Sequence, residues 1–554
     1  MPEILVGEYL FLRLKEIGIE TLFGVPGDFE LALLELVEPQ GLLTWLGTPN
    51  ELVGAYAADG YARQKGAGAL VTTFGPGELS ALCGIGGSYC ENVPVVHIVG
   101  YPTNAAQKSG KILHHTLGDG NYDHYVKISS ELSCATTVLT DPSTAVVEID
   151  RVLTAMLYHQ RPAYIGISED VAYSKVSTEY LDTKLTRTLP PSAAESEAKI
   201  LAKIMAALSS AKAPILMVDG GAAINTWAEH VDPLVEALRI PFFVTLLGKG
   251  VANEQSSYYG GCFSGAGSCP MSVIKAVSQA DCILWLGNYP SDFNTGMFSE
   301  HIEQATIIDL QQFSAKIGSI EYKAKINYLL PRIIEAAKDI PQLPQLHVDS
   351  IPAPDTSSLP EKIEQDWLWD RMTSFLRPGD LVVTETGTSQ VGFTATRLPS
   401  GCHSYTQAVY GSIGYATGSA VGAAIAAKET GRFKRMVLIT GEGSLQLTIQ
   451  AFRFWSDMTL CRLCLWSTTK VERYFCGMNS KHNDVPMWDY GALFKAFAPE
   501  VTDARTFQVT TAKELDLVDM MLEYQDTPTV MKAVFEEKRT ALAKSAAAAK
   551  STVS

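Results

Sequence analysis

The sequence predicts an α/β protein made of three doubly wound domains with parallel sheets. Three observations carry this. Short apolar runs alternate with helix-like segments along the chain, as in strands covered on both faces by crossover helices. Several of these runs end in glycine-rich turns, Gly75-Pro76-Gly77, Gly220-Gly221 and Gly441-Glu442-Gly443, where the carboxyl edge of a sheet opens onto ligands. Two linker-like stretches, 183–197 with Pro190-Pro191 and 340–360 with its prolines, divide the 554 residues into segments of ordinary domain size. The expected units are 1–182, 198–340 and 361–540, with an Ala/Lys/Ser-rich tail over 541–554.

The expected buried strands follow in chain order. The first segment supplies 69–73, 94–99 (Pro-Val-Val-His-Ile-Val) and 162–167; the second supplies 214–218 and 282–286. The third supplies 381–383 and 436–439, the latter leading through Gly441-Glu442-Gly443-Ser444 into a helix expected over Leu445 to Trp455. No short repeat is present, although the first and third segments read as similar units.

Composition narrows the function classes. A 46% hydrophobic, 19% charged chain is globular. Its net charge of −16 argues against a nucleic-acid surface, which needs clustered Lys and Arg. No apolar run reaches the ~18 residues that span a bilayer. The start, Met1-Pro2-Glu3-Ile4-Leu5, lacks a signal peptide's basic and apolar regions, and Ser551-Thr552-Val553-Ser554 is not a peroxisomal address. Ten cysteines without regular spacing suit a reducing, cytoplasmic setting, and Cys461-x-x-Cys464 has no second pair to complete a zinc site.

The run Met436 to Ser444 points to a binding chemistry on its own terms. A strand that stops at Gly-Glu-Gly-Ser and turns into a helix puts a carboxylate and free backbone N–H groups at one place. The helix dipole and its orphan donors favour an anion there, and a metal-bound diphosphate suits the combination.

Other motifs accompany it: Phe23-Gly24-Val25-Pro26-Gly27-Asp28-Phe29, Asn50-Glu51-Leu52, Thr72-Thr73-Phe74-Gly75-x-Gly77-Glu78 and His114-His115-Thr116-Leu117-Gly118. Glu385-Thr386-Gly387-Thr388-Ser389 and Gly411-Ser412-Ile413-Gly414 follow in the third segment. In this order and spacing the chain resembles the thiamine diphosphate-dependent 2-oxo acid decarboxylases, most closely the fungal pyruvate decarboxylases, over nearly its whole length except the tail.

The resemblance implies a cytoplasmic lyase that uses thiamine diphosphate and Mg²⁺. It would convert a small 2-oxo acid, pyruvate foremost, to an aldehyde and CO₂ through the cofactor's ylid. An aromatic or branched substrate is the alternative. It implies self-association as a dimer or tetramer, with the cofactor between the first segment of one subunit and the third of another. Glu51 would hold the aminopyrimidine in its imino form by hydrogen bonding; alone, a Glu opening a helix is a first-turn dipole residue. Ile413 would wedge beneath the cofactor's two rings, with Gly411 and Ser412 beside it; alone, it is a core isoleucine near a turn. Thr73 and Thr388 take cofactor-contact positions, and Gly441, Gly443 and Ser444 the diphosphate. Asp28, His114 and His115 would relay protons, for which His is the natural choice near neutral pH, with Glu472 assisting.

The metal ligands depart from the family pattern. Glu442 stands in place of Asp, one methylene longer, which displaces the carboxylate by roughly 1 Å. The expected Asn-Asn-x-Gly-Tyr run is replaced by Leu465-Trp466-Ser467-Thr468-Thr469-Lys470 before Val471-Glu472. The second side-chain ligand is missing, and Thr468 is a weak substitute. Three accounts fit: a mis-joined exon, divergence with weaker cofactor binding, or a non-catalytic paralogue.

Overall fold

The computed structural model describes residues 3–186, 191–224, 227–351, 364–454, 461–467, 486, 488–497 and a few positions beyond. Thr468, Glu472 and nearly all of the 541–554 tail lie outside the described residues. Three separate sheets organise the rest.

The first sheet runs, in spatial order, Thr44–Gly47, Thr21–Gly24, Gly68–Thr73, Val95–Tyr101, Ala163–Ser168 and Thr136–Leu139. All its pairings are parallel. The strand Val95–Tyr101 is buried at every residue, which is why its sequence is an almost unbroken apolar run rather than an alternating one.

The third sheet repeats the same order. His403–Thr406, Asp380–Thr384, Arg435–Gly441 and Cys461–Ser467 are followed by Asp519–Met521 and Gln508–Val509, again all parallel. In both sheets the second strand of the unit lies outside the first while the third lies inside it. Successive crossovers therefore leave the first strand in opposite directions and open a crevice at its carboxyl end.

The central sheet differs from the parallel expectation. Tyr259–Phe263, Phe242–Thr245, Pro214–Val218, Cys282–Leu286 and Thr306–Gln311 are parallel, but the antiparallel strands Ser314–Ile317 and Ile320–Lys323 extend one edge. Gly318, at φ +58°, turns the chain between those last two, a hairpin signal that the apolar-run reading passes over.

Each expected strand is present within a residue or two of its predicted span. Two boundaries shift. The helix expected over Leu445 to Trp455 begins at Glu442, ends at Thr448 and tightens into a 3₁₀ turn over Ile449–Phe454. The first linker is shorter than expected, because Ala194–Ser210 is already helical. Among the described residues no helix is long and apolar enough to cross a membrane.

The first and third sheets meet through two helices, Glu51–Lys65 and Tyr415–Thr430. Glycines allow the close crossing: a Cβ on Gly422 would stand 1.7 Å from the Ala57 carbonyl oxygen, and one on Gly60 would stand 2.0 Å from that of Ser419. A buried polar cluster joins the same elements. Asp59 accepts from Arg63 (2.7 Å), Ser88 (2.8 Å) and the Tyr415 hydroxyl, while Arg63 also pairs with Glu91 at 2.7 Å. The central domain is tied to the third by Lys249 and Glu254, a buried ion pair at 3.2 Å. Lys249 donates to the Thr396 carbonyl, and Glu254 accepts from the Leu398 N–H.

Candidate active site

The sequence-predicted residues gather at the carboxyl edges of the first and third sheets. In the first, Asp28 follows Thr21–Gly24, Glu51 opens the helix after Thr44–Gly47, and Thr73 closes Gly68–Thr73. The strands leading to Asp28 and Thr73 are the neighbours between which the order reverses. In the third, Thr388 follows Asp380–Thr384, Gly411 to Ile413 follow His403–Thr406, and Glu442 follows Arg435–Gly441. The same topological point is used twice.

Glu51 is the first residue of its helix, whose N-cap Asn50 accepts from the Val53 N–H at 2.8 Å. That cap already serves the helix end. The Glu51 carboxylate lies over Gly77, where a Cβ would stand 3.3 Å from its Oε1.

Asp28, His114 and His115 come together. Asp28 Oδ2 and His114 Nε2 are 2.7 Å apart. The two imidazole centroids are 4.7 Å apart and edge-on. Phe29 stacks on His114 at 4.8 Å and meets His115 edge-on at 5.9 Å. His115 sits at φ +70°, a left-handed conformation that a non-glycine residue holds only under constraint. The constraint is visible: Tyr125 donates to its carbonyl at 2.7 Å, and Gly75 packs so closely that a Cβ there would stand 2.5 Å from the same oxygen. Burial and the neighbouring His114 lower the His115 pKa, keeping the ring neutral at neutral pH.

In the third sheet, Gln407 Oε1 accepts from the Ser412 N–H at 2.9 Å, and Tyr56 meets the Ser412 hydroxyl at 2.5 Å. Thr448 donates to the Gly414 carbonyl at 2.7 Å, which keys the Gly411–Gly414 turn to the helix that Glu442 opens. Among the described residues, Gly411 (φ +63°) has only the Thr386 methyl near its missing Cβ, at 3.7 Å. Ile413 is 49% exposed. Glu442 is 3% exposed at the helix N-terminus, and Gly441, Gly443 and Ser444 are half-buried beside it. Among the described residues no hydrogen bond joins Asp28, Glu51, His114 or His115 to Thr388, Gly411 or Ile413; the two groups of residues, the expected half-sites, lie at the edges of separate sheets.

Comparison with known proteins identifies the family. Residues 4–123 match a family model described as "Thiamine pyrophosphate enzyme, N-terminal TPP binding domain". Residues 201–328 match the central domain of the same enzymes, and 385–455 their C-terminal TPP binding domain. The chain belongs to the thiamine pyrophosphate enzyme family. Its curated relatives include pyruvate decarboxylase isozyme 1 of Saccharomyces cerevisiae, 37% identical over 542 residues, covering 96% of this chain and 95% of that protein. Pyruvate decarboxylases of Kluyveromyces lactis (36% identical; 96% and 95% covered) and Aspergillus terreus (38%; 94% and 92%) are similar over comparable lengths.

The half-sites fit the family's cofactor. Thr73 Oγ1 is buried at the carboxyl end of its strand. The glycine surface at Gly411, the exposed Ile413 and the helix N-terminus at Glu442 offer an apolar wedge and an anion cradle. The side-chain donor set for a hard cation is narrower, because Glu442 is the single carboxylate on that turn.

Sequence reading overlooked three buried acids beside these residues. Glu385 accepts from the N–H groups of Thr386 and Ala416, and burial pushes its pKa up to about 8. Glu78 is pushed up to about 7 by burial. Glu30 accepts from Gly27 N–H at 2.5 Å, holding the turn before Asp28, and burial pushes its pKa up to about 8. An acid inside the apolar run Phe29-Glu30-Leu31-Ala32-Leu33-Leu34 was the available signal.

Glu30 has a measurable consequence. Its folded pKa lies above the unfolded value, so the folded state holds the proton between about pH 4.5 and 8. Stability therefore falls as pH rises through that window, by at most about 1.4 kcal/mol per pH unit. Glu30→Gln cannot ionise, and its denaturant-unfolding stability is expected to fall less steeply than wild type from pH 5 to 8. Parallel slopes would contradict a buried, proton-holding Glu30.

Proposed function

We propose that the chain decarboxylates a 2-oxo acid, foremost pyruvate, to acetaldehyde and CO₂. The observation that carries the reading is the Asp28–His114–His115 cluster, held by packing beside the crevice of a thiamine pyrophosphate fold. When bound, the cofactor supplies an electron sink for the pair left behind as CO₂ departs. This chain's residues do the rest. Glu51 would accept a hydrogen bond from the pyrimidine side, Ile413 would wedge the cofactor, and Gly441, Gly443 and Ser444 would receive the diphosphate. Glu442 would present a carboxylate to Mg²⁺.

Converting pyruvate to acetaldehyde consumes one proton, delivered to the carbon that loses CO₂. Neutral His115 and the hydrogen-bonded Asp28–His114 pair would hold and pass protons at that position, and Glu472 would assist in decarboxylation and product release. The exposed side chains of Ile413, Tyr410 and Leu447 support burial against a second subunit. The first-sheet half-site of one copy would then meet the third-sheet half-site of another, in a cytoplasmic dimer or tetramer. The three sheets would be the cores of domains spanning 1–182, 198–340 and 361–540.

A second reading is a non-catalytic paralogue, favoured by Glu442 in place of Asp and by the altered run at 465–470. One experiment separates them. Purified protein with thiamine diphosphate and Mg²⁺ is given pyruvate or phenylpyruvate, and aldehyde formation and thermal unfolding are followed. The proposal expects acetaldehyde, faster turnover of pyruvate, and cofactor stabilisation of ~2.7 kcal/mol at a hundredfold excess over Kd. Faster phenylpyruvate turnover would assign an aromatic substrate. Neither aldehyde nor stabilisation would support the paralogue.

A further inference from the structure

The relay cluster has a donor set that its proton chemistry does not exhaust. One carboxylate oxygen of Asp28 and one ring nitrogen each from His114 and His115 lie within 4.8 Å of one another. Zinc-class ions take imidazole and carboxylate donors at about 2.0–2.2 Å, so three donors around one ion stand roughly 3.3–3.5 Å apart. The gap between the present spread and a closed site is therefore a little over ~1 Å, within reach of small side-chain rotations. Asp28 Oδ2 and His114 Nε2, already 2.7 Å apart, would open slightly to admit the ion between them.

Two further observations point to a ligand. His115 Nδ1 is itself buried and has no hydrogen-bond partner among the described residues, although the residue as a whole is half-buried. The ring that carries it is held at a strained backbone position by Tyr125 and Gly75. Both imidazoles rest against the Phe29 ring. The Asp28 and His114 side chains are 52% and 59% exposed, giving an ion a way in.

We propose that Asp28, His114 and His115 form a binding site for one divalent transition-metal ion of the zinc class, which blocks the proton relay when filled. Two imidazoles and one carboxylate leave a fourth position for water, as in open zinc sites. The set selects against Mg²⁺, which prefers six oxygen ligands. An ion seated here takes the lone pairs that would otherwise carry protons, so occupancy and turnover exclude each other.

Co²⁺ is the probe, because its visible bands separate a four- or five-coordinate nitrogen-containing site from the six-coordinate aqua ion. Full-length protein is titrated with CoCl₂ under excess Mg²⁺, which occupies oxygen-rich sites. The expected result is one Co²⁺ per chain with low-coordinate bands, displaced by one equivalent of ZnCl₂. Affinity should fall tenfold or more in Asp28→Asn, His114→Gln and His115→Gln, each checked for wild-type near-UV circular dichroism. Asp28→Asn keeps the test open if a histidine variant fails to fold, since Asp28 is largely solvated. Only aqua-type bands, or wild-type affinity in a folded variant, would overturn the proposal. The spectrum does not require turnover, so its outcome is independent of whether the chain decarboxylates pyruvate.

Discussion

Glu51→Gln is expected to lower kcat by about 10²–10⁴-fold while leaving the fold intact, the range for loss of a positioned acid–base group. That corresponds to roughly 2.7–5.5 kcal/mol of barrier. The size separates the proposed role from the ordinary one. A Glu in the first turn of a helix contributes ~0.3–1 kcal/mol through the dipole, and Asn50 independently caps the helix through Val53. Gln matches Glu in shape and loses only the charge, so apparent melting temperature should move by no more than a dipole term. A kcat within tenfold of wild type would assign Glu51 to the helix and remove it from the chemistry. Glu51→Asp, which keeps the charge on a shorter arm, should recover part of the loss.

The second large effect is structural. Gly422→Ala should destabilise the protein by about 2–3 kcal/mol, as overpacking of a dense contact does. Helix propensity alone predicts the opposite, since Ala is favoured over Gly in a helix interior by ~1 kcal/mol. The crossing decides the sign: the new methyl would stand 1.7 Å from the Ala57 carbonyl oxygen and 2.8 Å from the Tyr61 nitrogen. Both are backbone atoms of the partner helix, so neither can rotate away, and the helices must separate. That separation would also loosen the Tyr56–Ser412 contact, so cofactor affinity should fall along with the melting temperature. A stabilised Gly422→Ala variant would show that the two helices do not meet this closely.

These two cases mark what the sequence made legible. The strands were readable because parallel strands buried on both faces leave unbroken runs such as Val95 to Val99 and Met436 to Ile439. The placement of Asp28, Glu51, Thr388, Ile413 and Glu442 at the carboxyl ends of their sheets was readable because each stands in a short motif that follows a strand. The antiparallel edge of the central sheet was not, since Ser314–Ile317 and Ile320–Lys323 are short and partly exposed. Gly60 and Gly422 look like weak points in helices until the crossing supplies their reason. Glu78 and Glu385 stand in named motifs that do not reveal their burial, which segments distant in sequence set, whereas the apolar run around Glu30 does carry a signal. The helix at Glu442 starts earlier than its apolar pattern implies, because its first turn, Glu442-Gly443-Ser444, is polar.

The central claim is that one chain carries two half-sites that combine across subunits. Co-expressing two differently tagged variants, Glu51→Gln and Gly411→Trp, tests it directly, because each disables a different half. If sites form between chains, a hybrid dimer pairs the intact first-sheet half of one copy with the intact third-sheet half of the other. Random pairing then restores about a quarter of wild-type pyruvate turnover, although each variant alone is inactive. If both halves serve the same chain's site, every hybrid site contains a defect. Mixed preparations that remain as inactive as the parents, with hybrids confirmed by tandem-tag purification, would contradict the account.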